Sequence, residues 1–267
     1  TLMEQAQELG GQLRQVVQVP ARQEFKELLA YYRRNLPRAG VNVLLGRTAA
    51  PEDAKAYDKV IVATGGVPNV TKLPTAPDAI PVYTSRQVLS GDVMPGKNVV
   101  VIGGSYIGCF TAQYLSREGA MSADELFFSV TQNADTTDHI LSRLNHSDRS
   151  VVLLEQGKKV GFGFESGTSW PVLGDLGRLG VPFLKNTLVT AITAEGVDAV
   201  ETKKDGTQIS HHYPADCVVA ASGVHSDETL YEAILAQGCD AVAIGNCHQL
   251  GKAINAIQAG AEVGLTI

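Results

Sequence analysis

The chain has 267 residues, of which 44% are hydrophobic, so it suits one large or two ordinary domains with a sizeable core. A formal net charge of −6 without a basic block argues against nucleic acid as a partner. No apolar run approaches the length of a membrane span, and the four cysteines form no C-x-x-C pair. We therefore expect a soluble, reduced, cytoplasmic protein without membrane contact and without a metal site.

The first third of the chain predicts short strands around one long helix. The predicted elements are strands over 41–45 and 57–66 and a helix over 22–38. The second of these strands ends in the small residues Ala63, Thr64 and Gly65. Repeated prolines then indicate a linker that extends to about residue 94.

The most informative stretch lies near the middle of the chain, where an apolar strand over 97–102 leads into a glycine turn and a helix. Gly103 permits the tight turn, Gly108 lets the helix pack closely on the strand, and Ser105 takes the middle glycine position. Free backbone N–H groups and the positive end of the helix dipole suit a pyrophosphate. The predicted dinucleotide-binding residues are Gly103, Gly104, Ser105, Tyr106, Ile107 and Gly108. A simple strand–helix turn is the alternative.

The next strand, over 150–154, ends in a second acid, Glu155. A dinucleotide-binding fold places such an acid about 20 residues after the glycines, where it accepts hydrogen bonds from the adenosine ribose. Glu155 lies 47 positions after Gly108, and removing an irregular stretch over 121–149 reduces the separation to 18. We therefore interpret 121–149 as an insertion. The acid favours NADH, because the 2′-phosphate of NADPH would meet a like charge. The alternative is a solvated strand end.

The last third repeats the pattern of strands that end in small residues. The predicted elements are a short helix from about 174, a strand over 182–185, an antiparallel unit over 187–213, strands over 215–223 and 241–246, and a helix over 251–264. The strand over 215–223 ends in Ser222 and Gly223, which would lie beside a ligand at the carboxyl edge of a parallel sheet. Its likeness to the strand over 57–66 predicts two similar folds in one chain.

Several stretches together resemble a known family of NADH:flavin oxidoreductases. The matching stretches are 9–12, 31–34, 62–65, 101–104, 161–163 and 244–247, with the insertion before Val151. The layout resembles the C-terminal flavin and pyridine-nucleotide part of the 2,4-dienoyl-CoA reductase, 2-enoate reductase and trimethylamine dehydrogenase group, over essentially the whole chain.

The resemblance implies an α/β fold of two nested Rossmann-like domains. A discontinuous FAD-binding domain over 1–94 and 224–267 would enclose an NAD(H)-binding domain over 95–223. The family places a first strand and its glycine turn before a second strand that ends in an acid, and residues 1–4, which end in Glu4, resemble that second strand. We expect the FAD domain to lack the first strand and its turn here, so the chain is a fragment, an incomplete description or a natural truncation of a larger enzyme.

The resemblance also implies cofactors, partners and activity. We expect FAD and NAD(H), with FMN and a 4Fe–4S cluster confined to an N-terminal barrel that the chain does not contain. That barrel would be a partner and would bind the small-molecule substrate, and a homo-oligomer is left open. The expected activity is hydride transfer from NADH to FAD in support of the reduction of an enoate or enoyl-type substrate. The alternative is a non-catalytic ADP- or nucleotide-binding scaffold.

The resemblance assigns further residues to cofactor contacts but no catalytic residue, since the cofactors carry the chemistry. Glu4 would bind the FAD ribose, and Tyr106 is either an aromatic gate over the flavin or a packing residue. The remaining predicted FAD-contacting residues are Gly11, Gln12, Ala63, Thr64, Gly65, Gly245 and Asn246. For Asn246, a role as a helix N-cap is an alternative that is compatible with a flavin contact.

Overall fold

The computed structural model describes residues 1–20, 22–69, 73–164 and 167–267. They form two compact units. Unit 1 comprises Thr1–Leu13, Phe25–Asn69 and Val224–Ile267, and unit 2 comprises Arg14–Glu24 and Val70–Gly223.

Short strands and short helices alternate through much of the described chain. The strands are β1 (Leu2–Glu4), β2 (Val43–Leu45), β3 (Val60–Val62), β4 (Val67–Pro68), β5 (Val82–Thr84), β6 (Asn98–Ile102), β7 (Ser150–Leu154), β8 (Phe183–Leu184), β9 (Thr187–Ile192), β10 (Gly196–Thr202), β11 (Gln208–Pro214), β12 (Cys217–Ala220), β13 (Val224–His225) and β14 (Ala241–Ala243). The helices are α1 (Leu13–Val16), α2 (Phe25–Arg38), α3 (Ser85–Ser90), α4 (Tyr106–Ser116), α5 (Ala123–Thr131), α6 (Thr137–Leu144), α7 (Ser169–Arg178), α8 (Thr229–Ala236) and α9 (Ala253–Gly264). Two 3-10 turns span Pro51–Ala56 and Gly245–Cys247.

Unit 2 is built on a five-stranded sheet in the order β5-β12-β6-β7-β8. Every neighbouring pair is parallel. Side chains of a strand alternate between the two faces of its sheet, so a strand that is apolar throughout needs a cover on both faces. β6 and β7 have this character after their first, polar residue, and seven of their ten residues are buried.

One face of the sheet packs against helices. Val99 and Val101 of β6 and Leu153 of β7 lie in the same cluster as α4 and α7 side chains such as Leu115 and Leu176. Leu115, Leu153 and Leu176 are fully buried. Burial of a leucine of this kind contributes roughly 1.5–3 kcal/mol, so this layer is a main source of the unit's stability.

The opposite face of the sheet carries a second cluster. Val100 and Ile102 of β6 lie there with Ile192 and Val197, which belong to an antiparallel sheet in the order β11-β10-β9. The predicted antiparallel unit over 187–213 is therefore confirmed as three strands. It covers the face of the parallel sheet that the helices leave open.

Unit 1 contains shorter pairings. β1 pairs in parallel with β2, β14 pairs in parallel with β3, and β13 pairs antiparallel with β4. A small core joins Val62, Ala243, Ile234 and Cys247.

Two expectations differ from the structure. The stretch over 121–149 is not irregular: it contains the helices α5 and α6 between α4 and β7. Ser122 and Glu125 form a capping box at the start of α5, a signal that the sequence carried. The unit boundary also differs from the predicted one, because β5 pairs with β12 and residues 70–94 fall in unit 2.

Among the helices that the structure describes, none has the length and apolar character needed to cross a bilayer.

Candidate functional site

The glycine turn follows β6 at the carboxyl edge of the parallel sheet in unit 2. It lies between the ends of β7 and β12, the two strands that neighbour β6. The Gly103 N–H donates to the Leu154 carbonyl at 2.8 Å, and the Ala221 N–H donates to the Ile102 carbonyl at 2.7 Å. The strand–turn–helix arrangement predicted from the sequence is therefore confirmed, and α4 begins at Tyr106, directly after the turn.

Two glycines of the turn have no room for a side chain. Gly103 has a φ of +112°, and a Cβ there would lie 2.5 Å from the Ala221 carbonyl oxygen. A Cβ on Gly108 would lie only 1.7 Å from the Gly103 carbonyl oxygen. These contacts explain why both residues are glycine. Gly103 adopts a backbone conformation that side chains disfavour, and Gly108 lets the helix approach the turn closely.

The turn leaves polar groups without partners. Over the described residues, the N–H groups of Ser105, Ile107 and Gly108 donate to no acceptor within the protein. Ser105 is the N-cap of α4, yet its side chain makes no capping bond, and its buried Oγ has no hydrogen-bond partner in the described chain. Unpaired donors at the start of a helix form the kind of site that binds an anion.

Glu155 follows β7 and turns its carboxylate toward the glycine turn. Its Oε2 accepts the Gly104 N–H at 2.6 Å, and its Oε1 accepts the Gly157 N–H at 2.5 Å. The residue is only 6% exposed. The carboxylate is therefore not a solvated strand end. Contact with an adenosine ribose stays a prediction.

A second loop runs beside the turn. The Gly161 N–H donates to the Gly104 carbonyl at 2.7 Å, and the Tyr106 N–H donates to the Phe162 carbonyl at 2.9 Å. The Tyr106 ring, at the start of α4, packs edge-to-face on Phe164 with centroids 6.3 Å apart and is 41% exposed. Tyr106 thus packs on this loop while part of its ring stays accessible, so both predicted roles remain open.

The end of β12 also reaches the turn. Ser222 and Gly223 follow this strand, and Gly223 has a φ of +91°. The Ser222 nitrogen lies 3.2 Å from the position of a Cβ on Gly103. The structure thus brings three of the predicted regions, the turn, Glu155 and Ser222, to one edge of one sheet.

One cysteine lies directly behind the turn. Cys109 is fully buried, and its thiol approaches the Gly104 carbonyl at 3.7 Å. Burial raises the pKa of this thiol to about 12. It stays protonated at neutral pH and serves as a packing residue of the turn.

In unit 1 the predicted flavin-contacting residues form two groups. Gln12 and Gly65 lie together, since a Cβ on Gly65 would be 3.5 Å from the Gln12 amide nitrogen. Gly65 has a φ of +81° and Gly11 a φ of +46°. Ala63 and Thr64 lie between β3 and Gly65 and are exposed. Gln12 is exposed too, and its amide has no partner among the described residues.

The second group lies after β14. The Ile244 N–H donates to the Val62 carbonyl at 2.9 Å, which places Gly245 and Asn246 at the same edge as the end of β3. Asn246 Oδ1 accepts the Gly251 N–H at 2.9 Å. The N-cap of α9 is Lys252, so the alternative interpretation of Asn246 as the N-cap is wrong.

Elsewhere in the unit, Glu4 Oε1 accepts the Ala6 N–H at 2.9 Å.

One residue of the site in unit 2, Gly157, was not predicted from the sequence, and its N–H donates to Glu155. The sequence indicates Gly161 as part of a loop that either passes near the nucleotide or is a plain flexible turn, and its N–H donates to the glycine turn. Gly161 belongs to a glycine-rich stretch, a visible signal, but the sequence does not reveal which turn that stretch contacts.

The residues present in unit 2 fit the pyrophosphate of a dinucleotide. Gly103 and Gly108 have no side chains, which leaves space beside the turn. The Ser105 Oγ and the N–H groups of Ser105, Ile107 and Gly108 have no partner among the described residues and can donate to an anion. The fold and this site define a Rossmann-type dinucleotide-binding protein.

The chain belongs to the pyridine nucleotide-disulphide oxidoreductase family, whose model matches residues 4–241. It is similar to the metal reductase of Desulforamulus reducens (30% identity, over 88% of this chain and 35% of that protein). It is also similar to the NADH oxidase of Thermoanaerobacter brockii (30% identity, over 100% of this chain and 37% of that protein). Among solved structures, a 2-naphthoyl-CoA reductase complex superimposes with a TM-score of 0.80 at 25% identity.

That structure is matched over 99% of this chain and 36% of its own. The chain thus spans little more than a third of the length of these relatives. The resemblance to the C-terminal FAD- and NAD-binding region of the NADH:flavin oxidoreductases is confirmed.

Proposed function

We propose that the chain is the FAD- and NAD(H)-binding module of a flavin oxidoreductase, in which a hydride passes from NADH to FAD. The observation that carries the proposal is the glycine turn of unit 2. It combines two positions closed to side chains with free N–H donors at Ser105, Ile107 and Gly108. NADH supplies the hydride when bound, and FAD accepts it.

Each part of the turn has a physical role in this proposal. The N–H groups at the start of α4 donate to the pyrophosphate oxygens, and the helix dipole adds a favourable field worth about 0.3–1 kcal/mol. Ser105 Oγ, now without a partner, donates to the same phosphate. Ser222 and Gly223 border the nucleotide at the end of β12. These groups bind and orient the nucleotide and need no acid or base.

Unit 1 would bind the FAD through two groups of residues. Gln12 has a free exposed amide beside Gly65, and these are suited to polar flavin atoms. Asn246 and Gly245 form the second group after β14. Glu4 would accept hydrogen bonds from the FAD ribose.

The whole protein would pass the electrons to a substrate outside this chain. Two relatives are named as reductases, and one of them as a reductase of an acyl-CoA thioester, 2-naphthoyl-CoA. We propose an N-terminal barrel with FMN and a 4Fe–4S cluster as the partner and an enoate or enoyl-type compound as the substrate.

The test is an anaerobic titration of the FAD-loaded protein with NADH, monitored by flavin absorbance. We expect the absorbance near 450 nm to bleach stoichiometrically, roughly one NADH per flavin, since hydride transfer moves two electrons. A parallel titration with ADP measures occupancy of the nucleotide site without reduction. Tight ADP binding without bleaching by NADH would instead support the scaffold function, and binding of neither would refute a nucleotide site.

A further inference from the structure

The loop that runs beside the glycine turn carries an accessible aromatic residue, Phe162. This residue is 46% exposed. Phe164, two positions further along, packs edge-to-face on both Tyr106 and Phe110, with ring centroids 6.3 and 5.1 Å apart. Phe162 makes no such ring contact with the residues that the structure describes. Its ring is therefore available to a ligand.

The backbone of Phe162 is fixed directly against the glycine turn. Its carbonyl accepts the Tyr106 N–H at 2.9 Å, and the preceding residue, Gly161, donates its N–H to the Gly104 carbonyl at 2.7 Å. Phe162 and Ser105 face one another in a parallel bridge. Residues that are paired in this way carry their side chains on the same face. The Phe162 ring thus lies on the same face as the Ser105 side chain, the group that would donate to the pyrophosphate.

The loop approaches the turn from the side of β7. It follows Glu155 and leads from β7 into α7, whereas Ser222 follows β12 on the other side of β6. A dinucleotide-binding fold places the adenosine ribose beside the acid that follows the strand next to the glycine turn. The adenosine half of the nucleotide would therefore extend over the end of β7, and the nicotinamide half toward the end of β12. The adenine is the part of the ligand that comes within reach of Phe162.

The glycines on either side of Phe162 let the loop lie close to the turn. Gly161 and Gly163 have φ values of +79° and +84°, and a Cβ on Gly163 would lie 2.8 Å from a ring carbon of Tyr106. Phe162 is therefore the one residue of 161–163 that carries a side chain. Because the loop is already held by hydrogen bonds, a ligand does not have to order it on binding.

We propose that the ring of Phe162 stacks on the adenine of the bound nucleotide, so that the loop over 161–164 forms the adenine side of the site. A base and a phenyl ring are both flat and uncharged, and stacking between them adds affinity whatever the identity of the base. This inference rests on the proposed nucleotide site. It predicts that Phe162 contributes to the affinity for ligands that carry a base and adds nothing for ligands without one.

The test compares ADP with ribose 5-diphosphate by calorimetry. The two ligands share the diphosphate and the ribose hydroxyl groups, but only ADP carries the base. Phe162→Leu keeps an apolar side chain and the backbone hydrogen bonds of the loop but removes the aromatic face. We expect ADP to bind about tenfold more weakly to this variant, and ribose 5-diphosphate to bind as it does to wild type. Phe162→Tyr keeps the ring, and we expect wild-type affinity for ADP.

Phe127→Leu is the matched control. Phe127 is 71% exposed on α5, which follows the end of α4, whereas the glycine turn precedes the start of α4. The same substitution is therefore made on an exposed ring far along the chain from the turn. We expect this variant to bind both ligands as wild type does.

Two results would overturn the stacking role while leaving the nucleotide site in place. One is an equal loss of affinity for both ligands in Phe162→Leu, which would assign Phe162 to the shape of the turn. The other is equal affinity of Phe162→Leu and Phe162→Tyr for ADP, which would mean that the ring does not touch the base. This second comparison decides the question even where ribose 5-diphosphate binds too weakly to measure. Failure of the proposed function differs from both: wild type then binds neither ligand, and the stacking role fails with it.

Discussion

At the residue scale, Gly108 is the position where the glycine turn has the least room. A Cβ there would lie 1.7 Å from the Gly103 carbonyl oxygen, which is backbone and cannot rotate away. We predict that Gly108→Ala lowers the free energy of unfolding by about 3 kcal/mol, because α4 must move off the turn. Thermal unfolding followed by circular dichroism measures the loss.

Gly174→Ala is the control for this prediction. Gly174 also lies inside a helix, α7, but a Cβ there would meet nothing within 4 Å. Alanine is the better helix former, so we expect this variant to gain about 0.5–1 kcal/mol. Equal effects of the two substitutions would contradict the close packing of α4 on the turn.

The sequence predicts some residues of the site better than others. Gly103 and Gly108 follow from a local pattern, since strand, turn and helix are adjacent in the chain. Glu155 was predicted at the correct place, but the direction of its carboxylate depends on the Gly104 and Gly157 N–H groups, which only the folded chain brings to it. Local patterns predict positions, whereas side-chain direction is a tertiary property.

At the element scale, a buried carboxylate joins α4 to α7. Asp175 is 4% exposed, and it accepts from Gln113 at 2.7 Å and from Arg117 Nε at 3.0 Å, besides an ion pair with Arg178. We predict that Asp175→Asn lowers the free energy of unfolding by about 2 kcal/mol, because charge-assisted hydrogen bonds are lost in a buried position. Chemical denaturation measures this difference.

Asp138→Asn removes the same charge from an exposed position in the first turn of α6. We expect a smaller loss, about 0.3–1 kcal/mol, from the interaction with the helix dipole alone. A similar loss in both variants would mean that the network between α4 and α7 adds no stability.

The helices α5 and α6 show where prediction of elements from sequence failed. Their stretch is rich in polar residues, and several of its apolar side chains, such as Phe127, Phe128 and Leu141, remain exposed. α5 has only nine residues and α6 only eight, so the apolar positions repeat too few times to show a helical period. The capping box at Ser122 and Glu125 was the signal that could have located α5.

At the scale of the whole molecule, the sequence predicts one domain inserted into another, with 1–94 in the outer domain, whereas the structure assigns both Arg14–Glu24 and the residues before 95 from Val70 onward to unit 2. Unit 2 ends at Gly223, three residues after the end of β12, where small residues follow the strand at the sheet edge. The start differs because β5 is only three residues long and lies in a proline-rich stretch. Its assignment to unit 2 depends on pairing with β12, whose residues lie 136 positions further along the chain.

The measurement that most directly tests a nucleotide site at the turn over 103–108 is ADP binding to Ser105→Asp and Ser105→Asn. Aspartate and asparagine have the same shape, and both are good N-caps for α4, so the fold is retained in each. A carboxylate beside the pyrophosphate repels it. We predict at least about tenfold weaker binding to Ser105→Asp than to Ser105→Asn. Equal affinity of the two variants would contradict pyrophosphate binding at this turn.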